Sequence, residues 1–137
     1  MLDRFATPLL RTPLQAMARL LVRAGVDANA VTLAGFGVGL VAAILIANGA
    51  YAAGAIALLT SRLLDGLDGA VARETQPTDA GGFLDISLDF LFYASIPLAF
   101  AVAEPTTNAL PAAALLAAFI GTGSSFLAFA TLAAKRG

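Results

Sequence analysis

The 137-residue sequence contains neither cysteine nor histidine, and only 12% of its residues are charged. The missing cysteines exclude a disulfide framework and a thiolate metal site. The missing histidines exclude an imidazole ligand or general base. Any catalysis must therefore run on carboxylates. Without sulfur or imidazole donors a zinc site is not expected, whereas oxygen-preferring hard cations such as magnesium, manganese or calcium stay open. The scarcity of charge has its counterpart in a 59% hydrophobic composition and a mean hydropathy of +0.86, outside the range of soluble domains. Such a chain needs lipid as its solvent. No secretory signal is expected, because the first long apolar stretch follows about 30 residues that include a helix, and no small-residue cleavage site follows it. The N-terminus is read as mature and the first apolar stretch as an uncleaved anchor.

The net charge of −1 hides an asymmetry, since four arginines fall within the first 23 residues while the acids gather between Asp65 and Asp89. Residues 4–23 read as an amphipathic helix, with Leu10, Leu14, Met17 and Leu21 on one face and Arg11, Arg19 and Arg23 away from it. It is expected to lie in the membrane interface, its arginines meeting anionic headgroups and its leucines entering the acyl boundary. The competing reading is a helix packed on protein. Four transmembrane helices are expected behind it, at 31–48, 50–72, 83–103 and 109–134. The uncharged part of the second, Ala50–Thr60, is too short for roughly 30 Å of hydrocarbon, so that span must continue through Arg62 and Asp65. Gly35, Gly37, Gly39, Gly54, Gly121 and Gly123 are read as sites of close helix approach. Basic residues occupy the N-terminal helix, the 62–73 region and Lys135–Arg136, and the connections at 48–50 and 104–108 have none. By the positive-inside rule the basic sites face the cytoplasm. The fold class expected is an all-α integral membrane protein, a single domain made of an interfacial helix followed by a transmembrane bundle.

The informative stretch is Asp65-Gly66-Leu67-Asp68-Gly69-Ala70-Val71-Ala72-Arg73, followed by Gly81-Gly82-Phe83-Leu84-Asp85-Ile86-Ser87-Leu88-Asp89. An i, i+3 pair on one span and an i, i+4 pair on the next each put both carboxylates on one helical face. Four bare carboxylates near hydrocarbon repel one another and suffer desolvation, so they must protonate or bind cations. Two divalent ions would neutralise four negative charges, and metals about 3.5–4 Å apart can orient a diphosphate while displacement occurs at phosphorus. Gly66, Gly69, Ala72, Gly81 and Gly82 leave backbone near the acids open to a bulky anion, and Arg73 offers a planar donor array for phosphate. Read singly, Arg73 could as well be a snorkelling anchor at the membrane surface.

The pattern D-x-x-D-G-x-x-A-R, a short spacer, then G-x-x-x-D-x-x-x-D resembles the signature of CDP-alcohol phosphotransferases, filled here by Asp65, Asp68, Gly69, Ala72, Arg73, Gly81, Asp85 and Asp89. The resemblance implies that an acceptor hydroxyl attacks the β-phosphate of a CDP-linked lipid and releases CMP, a step of phospholipid biosynthesis. It implies that Asp65, Asp68, Asp85 and Asp89 ligate magnesium or manganese, two ions being expected, and that Asp89 is the catalytic base. It further implies a CDP pocket lined by Gly69, Ala72, Arg73 and Gly81, with Asn29 and Thr32 as additional nucleotide contacts. Family members usually have six spans; this chain has room for four, so turnover is expected of a longer parent. The expected partners are the lipid donor, the acceptor alcohol and membrane lipids, with a homodimer admitted and no nucleic acid. The expected location is a bacterial or archaeal cell membrane with the site facing the cytoplasm. A proton or cation translocation subunit is the alternative that intramembrane carboxylates offer.

Overall fold

The computed structural model describes the backbone of residues 3–136 and the side chains from Pro13 onward. Leu10 and Arg11 of the amphipathic pattern therefore lie outside the described side chains. The described residues form five helices in chain order: α1 (Asp3–Arg23), α2 (Ala28–Ala47), α3 (Tyr51–Thr75), α4 (Asp79–Ala103) and α5 (Pro105–Arg136). Breaks between them follow local chemistry. Gly25 takes φ +79° to end α1, and Gly49 takes φ +78° after α2, a left-handed backbone that glycine adopts without a Cβ penalty. The Asp27 carboxylate accepts a hydrogen bond from the Ala30 N–H at 2.7 Å and caps α2. Thr78 caps α4 by accepting from the Gly81 N–H at 3.0 Å. That cap starts α4 four residues before the expected span at 83, so Gly81 and Gly82 stand in its first turn instead of in a linker.

Three of the helices, α2, α4 and α5, are long and apolar enough to cross a membrane. α3 falls short of that description because it carries Arg62, Asp65, Asp68, Arg73 and Glu74 from its middle onward. Where the sequence reading has four spans, the second of them carrying Arg62 and Asp65, the described residues give three helices apolar enough to cross and one charged helix of 25 residues. α3 is nonetheless embedded among the others, packing along α2 and against α1.

The two central interfaces are built on small residues. Between α2 and α3, the Ser61 hydroxyl donates to the Gly35 carbonyl at 2.8 Å in a buried hydrogen bond. A Cβ on Gly54 would stand 2.6 Å from Ile46 Cγ1. α4 runs parallel to α2, and their contacts step down the interface in register, from Asn29 beside Gly81 through Gly39 beside Phe92 to Ile46 beside Ala99. A Cβ on Gly39 would come within 2.5 Å of the Phe92 ring. α5 lies antiparallel on α4, with Gly123 against Phe90 and Tyr93 near Phe119. Gly37 and Gly121 have no neighbour within 4 Å at the Cβ position, so close approach uses four of the six glycines assigned to it.

α1 shares its apolar face between protein and surroundings. Leu14, Ala18 and Leu21 pack with Val31, Leu67, Ala70 and Val71, whereas Met17 and Leu20 remain exposed. The protein-packed reading thus describes half of the face, and the half left open is the part suited to lipid.

Candidate metal and nucleotide site

α3 and α4 do not pack backbone against backbone; both lean on α2. The wedge between them is where the acidic side chains meet. Because the helices run in opposite directions, their residues pair in layers. Asp68 faces Asp85 nearest the mouth, Asp65 faces Asp89 one turn deeper, and Arg62 faces Phe92 below that. All four aspartates line one narrow space with Arg62 and Phe92.

Three of the four expected ligands are drawn together. Asp65, Asp68 and Asp85 each offer a carboxylate oxygen within 4.8 Å of the other two. Asp68 is only 5% exposed, and its Oδ2 is buried without a hydrogen-bond partner. A buried carboxylate oxygen with nothing to accept from is costly, about 1–3 kcal/mol or more for a charged group. A cation among the three acids would supply the missing partner, and an all-oxygen donor set suits a hard divalent ion. Asp89 adjoins this triad through Arg62, which it shares with Asp65. Its Oδ1 accepts from Arg62 Nη1 at 3.0 Å, and the same Nη1 lies 3.5 Å from Asp65 Oδ1.

Above the acids opens a cavity of about 360 Å³. Asp68 and Asp85 form part of its wall, together with Asn29, Thr32, Gly69, Ala72 and Gly81, all five expected from the sequence. Its opening depends on small side chains. A Cβ on Gly81 would sit 3.0 Å from Asn29 Oδ1. Arg73 is not part of the lining; its guanidinium folds back to 3.5 Å from the Cβ position of Gly69. Gly66 turns away from the acids, toward Leu14 of α1, so its expected part in opening the site is corrected to helix packing.

Two features of the site were missed by sequence reasoning. The segment 75–78, which turns the chain between α3 and α4, lines the cavity, and the Thr78–Gly81 capping pattern was its signal. Arg62 was read only as a topological charge. Its i, i+3 spacing to Asp65 marked a helical ion pair, but its partner on α4 could not be read from one helix.

The sequence model of the family described as CDP-alcohol phosphatidyltransferase matches residues 26–137. The inner membrane protein YnjF of Escherichia coli (strain K12) is 55% identical over 135 residues, covering 98% of this chain and 66% of that protein. Archaetidylinositol phosphate synthase of Methanothermobacter thermautotrophicus is 46% identical over 70 residues, 50% of this chain and 36% of the relative. The Pyrococcus horikoshii protein of the same name is 36% identical over 90 residues, 65% of this chain and 48% of the relative. This chain thus spans just under two thirds of the E. coli protein and at most about half of the archaeal ones. No solved structure gives a significant match.

Proposed function

We propose a reaction for this chain from a premise that is not itself a proposal: it belongs to the CDP-alcohol phosphatidyltransferase family, whose model covers residues 26–137. The proposed reaction is transfer of a substituted phosphate from a CDP-linked lipid to an acceptor alcohol. The observation that carries it is the unpartnered, buried Asp68 Oδ2 within a three-carboxylate cluster that walls a cavity. Divalent ions held by Asp65, Asp68 and Asp85 would polarise the diphosphate and neutralise charge on the departing nucleotide. The cavity of about 360 Å³ accommodates the CDP end of the donor, where Asn29, Thr32 and the small side chains of Gly69, Ala72 and Gly81 fix its position. Arg73, beside the cavity, balances phosphate charge. Asp89, on the far side of the cluster from the cavity, takes the proton of the acceptor hydroxyl. The hydroxyl oxygen bonds to the β-phosphorus as the bond to the bridging oxygen breaks, and CMP leaves with the electron pair. A carboxylate is a weak base for an alcohol, so much of the rate must come from holding the reactants in line.

The inner membrane location named for the E. coli relative supports the same location here. The start of α2, the end of α3, the start of α4 and the end of α5 share one side of the bundle. Arg73, Lys135 and Arg136 lie in the last turns of α3 and α5 on that side, which the positive-inside rule assigns to the cytoplasm. Single cysteines at Gly49 and Thr106 should then label from outside and one at Thr78 should not; the reverse pattern would invert the topology. The translocation alternative finds little support in the geometry. Below Arg62 the α2–α4 seam continues through Phe92, Ile96, Ala99 and Ile46, which offer no side chain for a proton or cation path.

CMP release from a CDP-lipid, measured in a form of the protein that includes this chain and shows turnover, tests the reaction. Inositol phosphate belongs in the acceptor panel because two relatives are named for an inositol phosphate product. Metal-dependent CMP release with one acceptor is expected. Asp89→Asn should lower turnover by about 10²–10⁴-fold while CDP still binds. Wild-type turnover by Asp89→Asn would remove the base assignment.

A further inference from the structure

Arg62 changes the charge count of the acidic wedge. Four aspartates alone would be neutralised by two divalent ions. With the guanidinium among them the five side chains carry three net negative charges, so one ion leaves a single negative charge and two would overshoot. The arginine is held in place from several sides. Its Nη1 donates to Asp89 at 3.0 Å and stands 3.5 Å from Asp65. Its guanidinium carbon lies 3.9 Å from the Phe92 ring centroid, within the range of a cation–π contact. Phe92 itself is 3% exposed and pressed into the notch left by Gly39, so the ring is a fixed base for the cation. Arg62 Nε is buried with no hydrogen-bond partner. The guanidinium is therefore aimed at the carboxylates at the expense of one of its own donors.

We propose that Arg62 is a positioning residue, a fixed internal cation bridging Asp89 and Asp65, so that the chain alone binds one divalent ion tightly and a second only weakly. The second ion becomes favourable when a bound diphosphate adds negative charge and oxygen donors at the mouth of the wedge. A fixed positive charge beside an incoming divalent ion, at the intermediate dielectric of a half-buried site, weakens its binding by about tenfold or more. Asp89 is meanwhile kept one turn below the cavity, in the layer where an acceptor-side base is wanted. The inference rests on reading Asp65, Asp68 and Asp85 as metal ligands, and the experiment separates the two.

Manganese binding to the 137-residue chain in lipid nanodiscs, followed by the electron paramagnetic resonance signal of free Mn²⁺, reads both stoichiometry and affinity without turnover. The wild type should take up one ion at least about tenfold more tightly than a second. Arg62→Met should tighten the second ion by about tenfold or more. Arg62→Lys, which keeps the charge, should preserve the wild-type gap between first and second ions. Helical circular dichroism and monodisperse elution check folding, and Arg62→Gln, which can still hydrogen-bond Asp89, replaces Arg62→Met if the latter does not fold. Two equally tight ions in the wild type, or a second ion unaffected by loss of the arginine charge, would overturn the role of Arg62 and leave the metal site standing. No bound manganese in any folded variant would overturn both.

Discussion

The two ends of the α2–α3–α4 group are made of the same three helices and behave in opposite ways. At one end Ile46, Ala43 and Ala99 close the space, Gly54 admits Ile46, and Tyr51 stacks on Phe100 with ring centroids 5.8 Å apart. At the other end the helices stay apart around a cavity of about 360 Å³. Side-chain chemistry accounts for the difference. Apolar and small residues interlock at the closed end, whereas at the open end like charges face each other and repel. Packing fixes the scaffold at one end, and unfulfilled electrostatics holds a site ready at the other. Arg62 with Phe92 marks the boundary between the two regimes.

The largest effect should come from the open end. Asp68→Asn removes the most buried carboxylate of the cluster, and metal affinity should fall by at least about 100-fold, since even partners outside the ligand set cost 10–100-fold. The metal-free melting temperature should not fall with it, because the substitution takes away a buried charge that has an unpartnered oxygen. A parallel loss of stability in metal-free protein would mean that Asp68 serves packing, and the contrast between the ends would blur.

The next effect belongs to the packed interior. Gly39→Ala puts a methyl group 2.5 Å from the Phe92 ring and should cost about 1–3 kcal/mol through overpacking. Gly37→Ala, two residues away with nothing within 4 Å, should be neutral or stabilising by up to about 1 kcal/mol, as expected for replacing a mid-helix glycine. Thermal or denaturant unfolding of the pair measures the difference, and equal stability of the two variants would remove Gly39 from the list of packing sites. The smallest effect lies outside both ends. Arg19 Nε stands 3.5 Å from Glu74 Oε1 with both side chains well exposed, so Arg19→Ala should change stability by less than about 1 kcal/mol.

Much of this arrangement was legible in the sequence because it rests on single-helix periodicity. The i, i+3 and i, i+4 spacings put Asp65 with Asp68 and Asp85 with Asp89 on common faces, and three of those four acids do converge. Small residues at Gly69, Ala72 and Gly81 likewise line the cavity as expected. What failed were features decided by a second helix. Gly39 and Gly37 are equivalent in composition, and only the position of Phe92 on α4 makes one a contact and the other an open face. Gly66 sits among the motif residues, yet α1 claims it through Leu14. Arg62 on α3 pairs with both Asp65 and Asp89, a contact across two helices that the spacing within either helix does not give. The α4 boundary shifted because a capping threonine before two glycines outweighs their poor helix propensity.

The central claim is that the wedge between α3 and α4 binds divalent metal and a cytidine diphosphate group together. Isothermal titration of CDP into the nanodisc-embedded chain, with and without Mg²⁺ and repeated on Asp68→Asn, tests it most directly. Binding that requires Mg²⁺ in the wild type and is lost in Asp68→Asn is the expected result. CDP binding of equal strength with and without metal, or unchanged by Asp68→Asn, would contradict it.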